Sequence, residues 1–124
     1  MMKKLIITSG LLLSLATSVL AVPVTLMETS IGQVLVDSNG MTLYTYKSDE
    51  VGVSNCYNDC AVNWPPYLAS ESDEKSGDFT IIPRSDDTKQ WAFKGAPLYT
   101  WTGDTNSGDT TGNELNDVWY VVKQ

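Results

Sequence analysis

From Gln33 the chain alternates apolar and polar positions in short runs. Val34-Leu35-Val36 precedes the polar stretch Asp37-Ser38-Asn39-Gly40, and Met41-Thr42-Leu43-Tyr44-Thr45-Tyr46 follows it. Two β-prone runs around Asn-Gly predict a hairpin, because that pair readily supplies the two positive-φ residues of a type I′ turn. With Asn39-Gly40 as a two-residue loop, Val36 faces Leu43 and Leu35 faces Tyr44. Side chains alternate along a strand, so Val34, Val36, Met41 and Leu43 share one face, which reads as core. Leu35, Tyr44 and Tyr46 share the other, which is either a second packing layer or an exposed aromatic platform.

The same pattern recurs. Gly40-Met-Thr-Leu43-Tyr44-Thr45-Tyr46-Lys-Ser-Asp49 returns as Gly95-Ala-Pro-Leu98-Tyr99-Thr100-Trp101-Thr-Gly-Asp104, each position displaced by 55 residues, and the same offset carries Trp64 onto Trp119. Such a period means one supersecondary unit copied and packed against itself. Taking Lys94-Gly95 as the second loop places Phe93 opposite Ala96 and Trp91 opposite Leu98, so Trp91, Phe93 and Leu98 occupy the second core face. Pro97 cannot donate to a ladder and belongs at an edge.

Further strands are expected at Phe79-Thr80-Ile81-Ile82, stopped by Pro83, and at Val118 to Val122. Ser54 or Asn55 is placed to cap one or two helical turns through Cys56 to Ala61, before Pro65-Pro66 forbids continuation. Residues 70 to 78 read as a solvated loop between the copies. About six short strands punctuated by Gly, Pro, Asn and Asp favour an all-β fold. The expectation is a small sandwich or open barrel built from two copies of a β-hairpin unit, with one short helical turn near the cysteines.

The N-terminus changes the picture of compartment. Lys3 and Lys4 precede an apolar run from Leu5 to Leu20 that ends in Val19-Leu20-Ala21, the form of a secretory signal peptide. A membrane span is the poorer reading, since Thr8, Ser9, Gly10, Ser14, Thr17 and Ser18 interrupt it and about 20 strongly apolar residues are needed. Cleavage after Ala21 leaves residues 22 to 124 as a single exported domain, with periplasmic or extracellular localisation and no stable membrane anchor. It also leaves six basic against fifteen acidic residues, a net charge of −9. That balance argues against nucleic acid and anionic membrane surfaces, whose binding depends on Lys and Arg.

Candidate chemistry is sparse. Cys56 and Cys60 are the only cysteines, and export predicts a structural disulfide closing a short loop, worth about 2 kcal/mol in the chain-entropy model. A redox pair would favour CxxC spacing beside a positive charge, whereas here the spacing is CxxxC and Asp59 is a neighbour. The chain has no histidine, which removes the usual triads, zinc sites and general base. Asp104, Asn106, Asp109 and Glu114 suggest a calcium loop, yet glycine holds the fifth position and Leu115 the twelfth, where an EF-hand needs glutamate. An Asx-stabilised turn is the plainer reading.

Tyr44 and Asp49, like Tyr99 and Asp104, are five apart and would lie on opposite faces of one straight strand. The strand must therefore end near Lys47 and Thr102 if each carboxylate is to return toward its own copy. Structurally, each Asp accepts N–H groups of the loop it opens. Functionally, Tyr44, Tyr46, Tyr99, Trp101, Asp49 and Asp104 form two aromatic and acidic patches suited to a sugar, a cation held over a ring, or a protein hot spot.

These motifs carry a resemblance. The two Tyr-x4-Asp pairs, the aromatics two residues after each Tyr, Cys56-Tyr-Asn-Asp-Cys60-Ala and Trp64-Pro-Pro resemble the bacterial "secreted repeat of unknown function" lipoproteins, over roughly residues 33 to 68 and 90 to 122. Unlike many of those lipoproteins, the chain has no cysteine after its apolar run, so no lipid anchor is expected. The resemblance implies an exported cell-envelope module and carries no catalytic residue or cofactor. Together with the residues it favours a non-catalytic binding or structural role toward an envelope protein or glycan. The alternatives are an envelope thiol-disulfide protein working through Cys56 and Cys60, and a carboxylate-dependent glycan hydrolase.

Overall fold

The structure, a computed structural model, describes residues 22–124. The leader expected over residues 1–21 lies outside the described residues. Seven strands run in the order β1 (Val24–Thr29), β2 (Gly32–Asp37), β3 (Tyr44–Tyr46), β4 (Phe79–Pro83), β5 (Lys89–Phe93), β6 (Ala96–Pro97) and β7 (Trp119–Val121). Among the described residues one short helix, α1 (Asp59–Asn63), follows β3, and a 3-10 turn at Leu115–Asp117 precedes β7. The strands form three small antiparallel sheets, ordered β1-β2, β3-β7 and β4-β5-β6. The fold is all-β and no barrel closes.

Each copy begins with a hairpin that the alternation from Gln33 did not reveal. β1 pairs with β2 from Val24↔Asp37 to Thr29↔Gly32 around the two-residue loop Ser30-Ile31. In the second copy β4 pairs with β5 from Phe79↔Phe93 to Pro83↔Lys89 around a longer loop that Arg84 N–H closes onto Thr88 C=O at 2.9 Å. Each hairpin is followed by a turn into the Tyr-bearing segment.

Those two turns differ. In the second copy Lys94 and Gly95 both have positive φ, 51° and 86°, and Phe93 pairs with Ala96. Trp91 C=O accepts from Leu98 N–H at 2.9 Å, the expected register. Pro97 sits on β6, the edge strand of its sheet. In the first copy the expected register is wrong by one. Val36 bridges Thr42 rather than facing Leu43, and Leu43 N–H donates to Leu35 C=O. The loop is Ser38-Asn39-Gly40, with only Gly40 at positive φ (80°). The physical reason is Asp37, whose Oδ1 accepts from both Asn39 N–H (2.8 Å) and Met41 N–H (2.9 Å), holding a three-residue turn that ends on a left-handed glycine.

A one-residue slip moves a strand's side chains to the opposite face, and Leu35 records the change. It packs in the first core cluster with Leu43, Trp91, Phe93, Leu98 and Val122 instead of joining the tyrosines. Leu43 and Leu98 occupy equivalent repeat positions and both are fully buried. The second cluster is aromatic: Tyr44, Tyr99, Trp64 and Trp119 enclose Cys56. The tyrosine face is thus a second packing layer, with Tyr46 and Trp101 half-buried at its margin.

Helix α1 starts later than expected, at Asp59, and Asn58 precedes it at φ 56° without a side-chain cap. Ser54 and Asn55 are used elsewhere. Ser54 Oγ accepts from Cys56 N–H (3.2 Å) and Asn55 N–H donates to Asp49 (2.6 Å). Among the described residues no helix is long and apolar enough to cross a membrane.

Candidate functional site

The two Tyr-x4-Asp motifs meet at the centre of the molecule. Tyr44 N–H donates to Tyr99 C=O at 2.8 Å and Tyr99 N–H to Tyr44 C=O at 2.9 Å, joining the copies at one reciprocal bridge. Tyr44 continues along β3, which pairs with β7 from Tyr44↔Val121 to Tyr46↔Trp119. The matching positions beside Tyr99 are Pro65-Pro66. Prolines cannot donate to a ladder, so only the Pro66↔Tyr99 bridge forms there.

The side chains cross between copies. Tyr44 O–H donates to Asp104 Oδ2 at 2.7 Å, and Tyr99 O–H to Asp49 Oδ2 at 2.6 Å. Each aspartate's other oxygen holds the loop that it opens. Asp49 Oδ1 accepts Asn55 N–H (2.6 Å), while Asp104 Oδ1 accepts Thr111 N–H (2.9 Å) and Thr111 Oγ1–H (2.6 Å). The carboxylate therefore serves its own loop with one oxygen and the opposite repeat's tyrosine with the other. The expected return to its own copy describes only the first oxygen.

Burial and these contacts set the proton affinities. Burial, reinforced by the hydrogen-bonded carboxylate, raises the hydroxyl pKa of both Tyr44 and Tyr99 well above the usual tyrosine value. Burial also raises Asp49, opposed by the Tyr99 hydroxyl, Asn55 N–H and the Arg84 charge.

The aromatic rings form a column. Tyr46 stacks on Trp119 (centroids 4.2 Å, planes 12° apart), Trp119 on Trp64 (3.8 Å, 2°), and Trp64 on Trp101 (4.3 Å, 27°). Tyr44 meets Trp64 edge-on at 5.3 Å, and Tyr99 meets Trp119 likewise at 5.3 Å. Shifting every number by 55 exchanges one half of these contacts for the other, the signature of a self-complementary interface folded into one chain. Gly112 makes the close fit possible, because a Cβ there would lie 2.7 Å from Trp64 and 3.0 Å from Trp101.

The symmetry breaks at Arg84, which sequence reasoning did not single out. Its guanidinium is buried and donates to Ser54 Oγ (3.1 Å), Gln90 Oε1 (2.8 Å) and Cys56 C=O (2.9 Å). It lies over the Tyr57 ring at 4.3 Å, and Nε sits 3.7 Å from the exposed carboxylate of Asp86. Ser54 Oγ, already accepting from Arg84 and Cys56, lies 2.6 Å from Tyr99 O–H. Buried charge needs several partners, and here hydrogen bonds to neutral oxygens supply most of them. No spacing in the sequence marks that arginine as buried.

Cys56 and Cys60 form a disulfide at a Cα separation of 5.2 Å, with Cys56 fully buried against Trp64 and its neighbours. Of the four residues considered for calcium, Asp104 holds Tyr44 and Thr111. Asp109 Oδ2 accepts Thr105 N–H (3.1 Å) and Asn106 N–H (2.9 Å). Glu114 is exposed at φ 66°. Among the described residues no three acidic or cysteine side chains converge as metal ligands.

What remains at the surface lies at the column's ends. Tyr46, with Asp49, Glu50, Lys94 and Pro97, lines a recess of about 140 Å³, while Trp101 closes the other end.

The arrangement agrees with a family comparison. A family model described as "secreted repeat of unknown function" matches residues 25–67 and again 80–123. The chain belongs to that family. The two matched segments begin 55 residues apart, at the start of each hairpin, and so include β1 and β4 ahead of the motif-bearing segments. As a secreted-repeat protein it is an exported module. No curated protein and no solved structure matches the chain.

Proposed function

We propose that this secreted-repeat protein is a non-catalytic binding module of the cell envelope, taking an envelope glycan or protein at the Tyr46 end of the column. The observation that supports this reading is the division of labour within the motif. The hydroxyls and carboxylates of Tyr44, Tyr99, Asp49 and Asp104 are engaged with one another, whereas Tyr46 is half-exposed beside Glu50 and Lys94. An aromatic ring flanked by charges of both signs suits hydroxyl-rich or mixed-charge ligands, the kind that apolar surface with a few polar groups orients.

Tyr46 itself is part of the column, so the test uses its exposed neighbours. Purified protein is cosedimented with isolated cell-wall glycan and, separately, crosslinked to envelope proteins, using Glu50→Lys and Lys94→Glu. Both residues are exposed, and surface changes of this kind alter stability by only about 0.5 kcal/mol. The reading expects capture to fall in both variants with unchanged melting temperature. Capture that neither reversal alters would contradict it.

A further inference from the structure

We propose that the aromatic column is a one-electron relay, which carries oxidising equivalents from the protein surface to Tyr44 and Tyr99. Three observations combine. Four rings are in continuous van der Waals contact, at 4.2, 3.8 and 4.3 Å between successive centroids. Both ends, Tyr46 and Trp101, reach the surface while Trp64 and Trp119 are buried. Each buried tryptophan also touches a buried tyrosine, whose phenol O–H already donates to a carboxylate.

A one-electron oxidant in the surrounding medium, such as an inorganic radical, takes one electron from Trp101 and is itself reduced. The vacancy passes by electron transfer from Trp64 to Trp101 and from Trp119 to Trp64, since stacked indoles are nearly equal in potential. A phenol gives up an electron readily only together with its proton, because the phenol radical cation is a very strong acid. Tyr44 supplies the electron to Trp64 while its proton moves to Asp104. Tyr99 does the same for Trp119, with Asp49 as acceptor. The product is a neutral tyrosyl radical facing a neutral carboxylic acid. An electron from a small one-electron reductant reverses the step, and the proton returns to the phenol.

The surroundings suit this exchange. Gly112 N–H donates to the Tyr44 oxygen at 3.1 Å, and Ser54 Oγ lies 2.6 Å from that of Tyr99, so each oxygen keeps a partner when its proton leaves. Tyr120 provides an internal control. Its phenol also donates to an aspartate, Asp117, but it is outside the ring column.

The test is pulse radiolysis with azide radicals, which oxidise tryptophan in preference to tyrosine at neutral pH. In the intact disulfide-bonded protein the tryptophanyl absorbance should decay into tyrosyl absorbance in a first-order step. The step should be independent of protein concentration and slower in deuterated water. Tyrosyl growth should be lost in Tyr44→Phe/Tyr99→Phe and unchanged in Tyr120→Phe. Because the double variant removes two buried hydrogen bonds, the wild type is also freeze-quenched for electron paramagnetic resonance. A relay ending on packed rings gives narrow β-methylene couplings, at most one set for each of Tyr44 and Tyr99, fixed by their torsions. Tyrosyl growth that survives in the folded double variant, or disappears with Tyr120, would overturn the proposal. So would a broad spread of couplings from mobile surface tyrosines.

Discussion

Tyr44 and Tyr99 exchange both backbone hydrogen bonds with one another, at 2.8 and 2.9 Å, and each donates its phenol proton to the aspartate of the other's motif. Neither copy of the repeat is complete alone. The tyrosine supplied by one half satisfies a carboxylate in the other, and the stacked Trp64 and Trp119 close the same junction. A motif that looks local in the sequence therefore acts as a clasp between copies, which accounts physically for the same pattern appearing twice.

The first core makes a direct prediction. Leu43 and Leu98 are fully buried and sit at equivalent positions. Leu43→Ala and Leu98→Ala should each destabilise by about 2 to 5 kcal/mol, measured by urea unfolding. A loss of a few tenths at either position would contradict the shared core face.

Alkaline pH should unfold the protein cooperatively. The folded-state pKa values of Tyr44 and Tyr99 lie above their unfolded values, so their contribution is fully present below about pH 10. It is lost as pH rises through the folded values, because the unfolded chain releases those protons first. Of six tyrosines, two should ionise only as the near-ultraviolet circular dichroism collapses. Smooth ionisation of all six with the fold intact would contradict the buried hydrogen-bonded assignment.

Gly112 tests the packing of the column. Gly112→Ala places a methyl group 2.7 Å from Trp64 and 3.0 Å from Trp101, and overpacking of this kind costs about 1 to 3 kcal/mol. Tryptophan fluorescence should shift along with the reduced unfolding midpoint. An unperturbed midpoint would mean that the indoles have room to move.

Much of this architecture was legible in the residues, and the exceptions have local causes. The 55-residue offset found the equivalence of Leu43 with Leu98 and of Trp64 with Trp119, and Lys94-Gly95 gave the second turn in its observed register. Asn39-Gly40 suggested the same turn in the first copy, but the Asp37 carboxylate captures two N–H groups and lengthens that loop by one residue. Strand β1 went unseen because Val24-Thr-Leu-Met-Glu-Thr follows the N-terminal apolar run almost directly, and its one boundary residue, Pro23, falls just past the expected cleavage site. The tyrosine–aspartate exchange was hidden for a different reason. Spacing within a motif limits the reach of its own side chains and says nothing about which copy they reach. Arg84 was hidden because burying an arginine depends on oxygens brought from Ser54, Cys56 and Gln90, three separate parts of the chain.

Two double-mutant cycles show whether the motif works between copies or within one. Tyr44→Phe is combined with Asp104→Asn in one cycle and with Asp49→Asn in the other, each read by urea unfolding. Tyr44 and Asp104, the residues in contact, should couple by about 0.5 to 3 kcal/mol, and Tyr44 with Asp49 should be additive within about 0.5 kcal/mol. Strong coupling inside the motif together with additivity across the repeats would contradict the clasp between copies.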